Sequence, residues 1–138
     1  VNKALLDTDT YSEILKAINP TIVQNAATYR RAHGMLSVSA TTVMEIVYGF
    51  QRVQNARRMQ DFLNAVALEE VLEFERDAAE LAGRIAGDLD RSGQTIGKAD
   101  PMIAAVALRH GLELVTGNTA HYQRIQQLGY PLTLLNWR

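Results

Sequence analysis

Short apolar runs and longer stripes of helical spacing alternate along the chain. The first run, "KALLD", sets Leu5 and Leu6 directly before an acid and reads as a short buried strand. Thr10 and Glu13 then fit an S/T-x-x-E capping box, which predicts a helix through about Ile18. Asn19-Pro20 stops that helix and starts another, with Ile22, Val23, Ala26 and Ala27 on one face and Gly34 at its end. "MLSVS" is a second strand. In "SATTVMEIVYGF", Val43, Ile46, Val47 and Phe50 fall at helical spacing and Gly49 predicts a break.

A further helical stretch, "NARRMQDFLNAV", leads to a third strand in "LEEVLEF". Residues 75–90 carry the clearest helical stripe: Ala78, Leu81, Ala82, Ile85, Ala86 and Leu89. A loop at Arg91-Ser92-Gly93 follows, then a helix with Pro101 in its first turn. The strand "LELVT", the short helix "TAHYQRIQQLG" and a last strand in "LTLLNW" complete the order. Strands alternating with helices through short connections predict an α/β fold with a mainly parallel sheet. No repeat or low-complexity segment interrupts the chain, and residues 1–138 read as one domain.

Composition changes this picture mainly by exclusion. The chain is 47% apolar and 21% charged, which excludes wholesale disorder. Its formal net charge is −1, so charge alone makes no case for a polyanion or a membrane surface. There is no cysteine, which removes disulfides, thiol catalysis and thiolate zinc sites. His33, His110 and His121 lack any HxH or HxxxH spacing. No apolar run reaches the roughly 20 residues of a membrane span. Asp7 and Asp9 stand where a signal peptide needs its apolar core, so a cytoplasmic protein is expected. Any metal chemistry must use oxygen ligands, which favours Mg²⁺ or Mn²⁺.

In a parallel sheet, ligands bind outside the carboxyl ends of the strands. That rule selects Asp7 after the first strand and Thr116-Gly117-Asn118 after "LELV", with Glu45 and Asp100 near helix starts. Each has a structural alternative. Asp7 can shape a turn, Glu45 can be a solvated helix residue, Asp100 before Pro101 can cap a helix, and Asn118 can cap the next. Asp9 lies two residues after Asp7 and shares its side of the chain if that segment is extended. Thr8 and Thr116 can offer hydroxyls there, and Lys98 can meet a phosphate. His110 and His121 read as surface residues. Arg30, Arg31, Arg52, Arg57 and Arg58 either track a polyanion or simply solvate helix faces.

Taken in order, "LLDTDTYSEI", "SATTVMEIVYG", "IGKADPMIAAVALRHGLELVTGNTAHYQRI" and the terminal "LLNW" resemble the PIN-domain nucleases, specifically the VapC-type toxins of bacterial toxin–antitoxin pairs. The resemblance spans nearly the whole chain. It implies a three-layer α/β/α sandwich that cuts RNA, commonly tRNA or rRNA, with Mg²⁺ or Mn²⁺ held by carboxylates. Asp7, Glu45 and Asp100 match the family's first three acids. The roles implied are metal binding for Asp7 and Asp100 and positioning or deprotonation of the attacking water for Glu45. Where some members carry a fourth acid, this chain has Asn118, which lowers the charge and leaves open whether one or two ions bind. Thr116, Asp9 and Thr8 would border the site. A small VapB-like antitoxin, and either a homodimer or a toxin–antitoxin hetero-oligomer, are the implied partners. Phe50, Met59, Phe62 and Leu63 would line the groove and dimer contact, or else belong to ordinary core.

Two carboxylates about 4–5 Å apart repel by about 3–4 kcal/mol at an effective dielectric of about 20. Three converging acids therefore call for a cation or a proton. Two other readings compete with the toxin. One is a catalytically weak PIN-like module that binds partners. The other is a haloacid-dehalogenase-type phosphatase, whose Asp-x-Asp start "LLDTDTY" imitates until Tyr11, with Asp7 as nucleophile and Asp9 as acid/base.

Overall fold

A computed structural model describes residues 1–138. Five short strands form one sheet in the order β3-β2-β1-β4-β5, every neighbouring pair parallel. They are β1 (Ala4–Leu6), β2 (Ser37–Ser39), β3 (Glu70–Leu72), β4 (Glu113–Val115) and β5 (Leu134–Leu135). Between them run α1 (Thr8–Lys16), α2 (Pro20–His33), α3 (Ala40–Arg52), α4 (Ala56–Val66), α5 (Arg76–Arg91), α6 (Ala99–His110) and α7 (Thr119–Gln127). No helix is long and apolar enough to cross a membrane.

Alternation of side chains along the central strands divides the interior into two apolar clusters, one on each face of the sheet. Leu5 and Leu114 enter the cluster built from α5, α6 and α7, with Ala82, Ile85, Leu89, Ile103 and Ile125. Ala4, Leu6, Val38 and Val115 enter the other, against Tyr11, Ala26, Tyr29, Ile46, Phe62 and Val66 of α1 to α4. The result is the expected three-layer α/β/α sandwich. A strand covered on both faces is uniformly apolar, which is why β1 is "ALL" with all three residues buried.

The strand order reverses at β1. The chain first moves outward through β2 and β3, then returns to β1's other side for β4 and β5. That reversal leaves a crevice at the carboxyl ends of β1 and β4, the ligand-binding position of open parallel sheets. Asp7 directly follows β1 and Thr116 directly follows β4.

Local chemistry departs from the sequence reading at three places. Helix α1 starts at Thr8 rather than at a Thr10 cap, because Asp7 itself is the N-cap and accepts a bond from the Thr10 amide. Its sixth residue, Glu13, faces Arg138 instead of closing a capping box. Gly49 does not break α3, which continues to Arg52. A single glycine costs a helix only about 1 kcal/mol, and the apolar face of α3 carries it through. Asp100 is not a cap either. Helix α6 begins at Ala99 after Lys98, placing Asp100 and Pro101 within its first turn, where no N–H needs an intrahelical partner.

Candidate active site

The crevice is built by the first turns of helices. Asp7 ends β1 and caps α1, so its carboxylate is fixed from both sides. Its Oδ1 accepts from the Thr10 amide at 2.8 Å and its Oδ2 accepts from the Thr116 hydroxyl at 2.5 Å. Thr116 Oγ1 in turn accepts from the Asn118 amide at 2.9 Å. Asp7 is only 4% exposed. Burial pushes its carboxyl above the ordinary 3.8, and the Thr116 and Thr10 bonds only partly oppose that.

Glu45 reaches the same crevice from the second turn of α3. Its Oε1 accepts from the Thr8 hydroxyl at 2.5 Å, and Thr8 shares a further hydrogen bond with Thr42 at 3.0 Å. Burial raises the Glu45 carboxyl, the Thr8 bond opposes the rise, and the negative charges of Asp100, Asp9 and Asp7 add to it. The four acids therefore share one field.

Asp100 enters from the first turn of α6 and is held by α7. Tyr122 donates to its Oδ1 at 3.2 Å, and His121 Nδ1 lies 3.2 Å from its Oδ2. The Tyr122 hydroxyl stays protonated, because burial first and then the charges of Asp100, Asp7 and Glu45 raise it well above its ordinary value. The same His121 nitrogen is 2.8 Å from the Asn118 amide group. Two arrangements satisfy it: a protonated Nδ1 donates to Asp100, or an unprotonated one accepts from Asn118.

Asp7, Glu45, Asp100, Thr8, Thr116 and Asn118 thus meet at one sheet edge. Asn118 does so by facing His121; it precedes α7 as N-cap but makes no capping bond with its side chain. Asp9 does not join them. Residues 7 to 10 turn into helix rather than staying extended, so Asp9 is exposed and contributes only its charge. Lys98 is exposed as well. Arg30 is bound at two points by Glu69, at 2.8 and 2.7 Å, and Arg52 stacks 6.0 Å over the Tyr48 ring. The sequence reading missed Tyr122, Thr10 and Thr42. Tyr122 could have been found from the rule that selected Asp100, since the first turn of α7 opens at the same sheet edge. His121, read as a surface residue, is half-buried on Asp100 instead.

The donor set suits a hard cation. It consists of carboxylates and hydroxyls without a thiolate, and burial raises the proton affinity of two of the acids, which a cation would offset. No three acidic or imidazole side chains close into a ready-made coordination sphere. Mg²⁺ does not require one, since it takes one or two carboxylates directly and keeps several waters.

The chain belongs to the PIN-domain family: its sequence matches the PIN domain over residues 4–126. It is 33% identical over 96 residues to the tRNA(fMet)-specific endonuclease VapC of Shigella flexneri, covering 67% of this chain and 70% of that protein. Ribonuclease VapC2 of Haemophilus influenzae is 29% identical over 127 residues, 89% of this chain and 92% of the relative. In three dimensions the chain resembles the DNA-bound VapBC of Salmonella typhimurium with a TM-score of 0.82, 27% identity and 100% of both chains covered.

Proposed function

We propose that residues 1–138 act as one unit, a Mg²⁺- or Mn²⁺-dependent endoribonuclease toxin of the cytoplasm that is restrained by a small cognate antitoxin. One observation carries this reading: Asp7, Glu45 and Asp100 gather at the switch point of the sheet, each oriented by its own hydroxyl donor. The relatives' names, tRNA(fMet)-specific endonuclease and ribonuclease, support RNA as the polymer cut and tRNA as the first substrate to examine.

Asp7 and Asp100 would hold the metal ion. Bound there, it would supply positive charge to the scissile phosphate and make water a better nucleophile near neutral pH. Thr116 and Tyr122 keep the two carboxylates oriented by donating to them. Glu45, with its raised affinity for a proton, accepts one from the attacking water, and Thr8 aims its carboxylate. Its extra methylene gives it a longer reach than either aspartate.

Purified protein is incubated with unfractionated tRNA and with total RNA in Mg²⁺, Mn²⁺ or EDTA. Cleavage is expected with either metal and not in EDTA. Glu45→Gln should lower the rate by about 10²–10⁴-fold, the usual contribution of a general base. Undiminished cleavage in EDTA would overturn the metal assignment. Intact RNA from folded, metal-supplied protein would favour the binding-module reading instead.

An antitoxin has a suitable docking surface beside the site. A groove of about 870 Å³ between α1, α3 and α4 is lined by Leu15, Ile18, Phe50 and Val53, and it ends at Thr8 and Glu45. Ile18 and Val53 are 80% and 62% exposed, more apolar surface than a freely solvated helix pair needs. A segment lying in this groove would reach the catalytic edge. Val53→Asp is expected to abolish co-purification with a co-expressed antitoxin while leaving RNA cleavage intact; co-purification as for wild type would remove the groove from consideration. Of the residues named from sequence for this surface, Phe62 is 2% exposed and serves mainly as core.

A further inference from the structure

Of the basic groups first suspected of following RNA, Arg30 is paired with Glu69, Arg52 lies over the Tyr48 ring, and Arg58 lines the groove that also holds Glu45. One cation is different. After β5 the chain leaves the sheet at its carboxyl edge and crosses back over the site. Trp137 anchors that crossing: its carbonyl accepts from Asn25 Nδ2 at 2.8 Å and its ring packs 5.8 Å from that of Tyr29. Asn136 Oδ1 accepts from the Arg138 amide at 3.0 Å, which turns the next side chain inward.

The Arg138 guanidinium then lies directly over Gly117, the residue between Thr116 and Asn118. It lies so close that a Cβ at Gly117 would overlap it. It forms a two-point pair with Glu13 of α1, with Nε 3.1 Å from Oε2. The fields of Asp7 and Asp9 also act on it. Its side chain remains 43% exposed and that of Glu13 30%.

We infer that Arg138 is a substrate-binding residue whose guanidinium clamps a phosphate of the RNA backbone beside the carboxylate site, releasing Glu13 to do so. The inference rests on the reading of RNA as substrate. The physical need is plain, because Asp7, Asp9, Glu45 and Asp100 present a negative edge to a polyanion. The planar guanidinium matches phosphate at two points, as it matches Glu13 in the free protein. A solvent-exposed ion pair is weakly held and so can be exchanged. Gly117 leaves the space in which the guanidinium sits; its alanine variant would push the side chain away without imposing a forbidden backbone angle.

The test measures binding of fluorescein-labelled tRNA in EDTA, where no cleavage is expected, and steady-state cleavage in Mg²⁺. Arg138→Met should weaken binding about fivefold or more at low salt and reduce the slope of log K against log salt by about 0.7–0.9, the loss of one phosphate contact. Its KM should rise with kcat nearly unchanged, the signature of binding lost equally from ground and transition states. Gly117→Ala should reproduce part of that loss. Glu13→Gln should bind tRNA as tightly as wild type or more so, although it breaks the same ion pair. Equal weakening by Glu13→Gln and Arg138→Met would overturn the inference, because the pair would then be only a brace. So would an unchanged salt slope in Arg138→Met. Failure of the wild type to bind or cut any RNA would refute the RNA reading itself, an outcome distinct from both.

Discussion

Asp7→Asn should abolish RNA cleavage, by on the order of 10³-fold or more in kcat/KM, while raising the melting temperature of the metal-free protein. The two effects come from the same charge. Asparagine keeps the size of the side chain and can still accept from the Thr10 amide through its Oδ1, so α1 keeps its cap. At Thr116 the amide must donate where the carboxylate accepted, and the hydroxyl can rotate to receive it. What disappears is a negative charge that burial disfavours and that repels Glu45. The fold is relieved and the proposed metal ligand is lost. Added Mg²⁺ should raise the melting temperature of the wild type and leave that of Asp7→Asn unchanged. Equal destabilisation of metal-free Asp7→Asn and Asp7→Ala would show that the carboxylate serves the cap alone.

The pH dependence has a definite sign. Folding raises the affinity of Asp7 for its proton above that of the unfolded chain, whose carboxyl has the ordinary value of 3.8, and does the same for Glu45 relative to 4.5. Stability from these groups is therefore full below the unfolded values and is lost as pH rises through the folded ones. In EDTA, the wild type should lose stability across that acidic window as both groups ionise. Asp7→Asn should lose less, and the two melting curves measured by circular dichroism should diverge as pH rises. Convergence toward neutral pH would contradict the assignment of Asp7 as the strained acid.

Which parts of this site the sequence disclosed depends on how local their causes are. The order of strands and helices was readable because each strand is bounded by a cap or a turn residue within a few positions: Asp7 after β1, Ser39 at the end of β2, Asn118 after β4. Parallel pairing followed from the helices between them, and the strand-end rule then selected Asp7, Thr116 and Asn118. Capping was misread at α1 and α6 because Thr10 and Asp100 both fit cap statistics, whereas the competing claim of Asp7 depends on where β1 ends. The partners of the carboxylates were out of reach for a different reason. Thr116 lies 109 residues from Asp7, and Arg138 lies 125 from Glu13. No periodicity links such positions; only the return of β4 and β5 to the side of β1 brings them together. Tyr11, which breaks the phosphatase motif, is a core residue packed edge-on at 6.3 Å against Phe62, and exposed Asp9 cannot supply that reaction's second acid at the site.

Tyr29→Phe should be the most damaging single-atom change away from the carboxylates. β1 is flanked by β2 and β4, but on the β2 side only Leu6 finds a strand partner, opposite Val38. The amide of Ala4 points to that side and finds no backbone acceptor there. Tyr29 of α2 fills the gap: its hydroxyl accepts from the Ala4 amide at 3.1 Å and donates to the Ala4 carbonyl at 3.2 Å. Both residues are 1% exposed, so no water can replace that oxygen without repacking. A buried backbone group left unpaired costs about 1–3 kcal/mol, and Phe leaves the Ala4 amide so while removing one donor from its carbonyl. In a chain of this size that lowers the melting temperature by about 5 °C or more. The ring and its packing on Trp137 at 5.8 Å survive the substitution, so the loss isolates the hydroxyl. A change below about 1 kcal/mol would mean that Ala4 obtains its partners elsewhere. Because Ala4 opens the strand that ends at Asp7, the same variant should also weaken metal-induced stabilisation, linking the start of β1 to the site at its end.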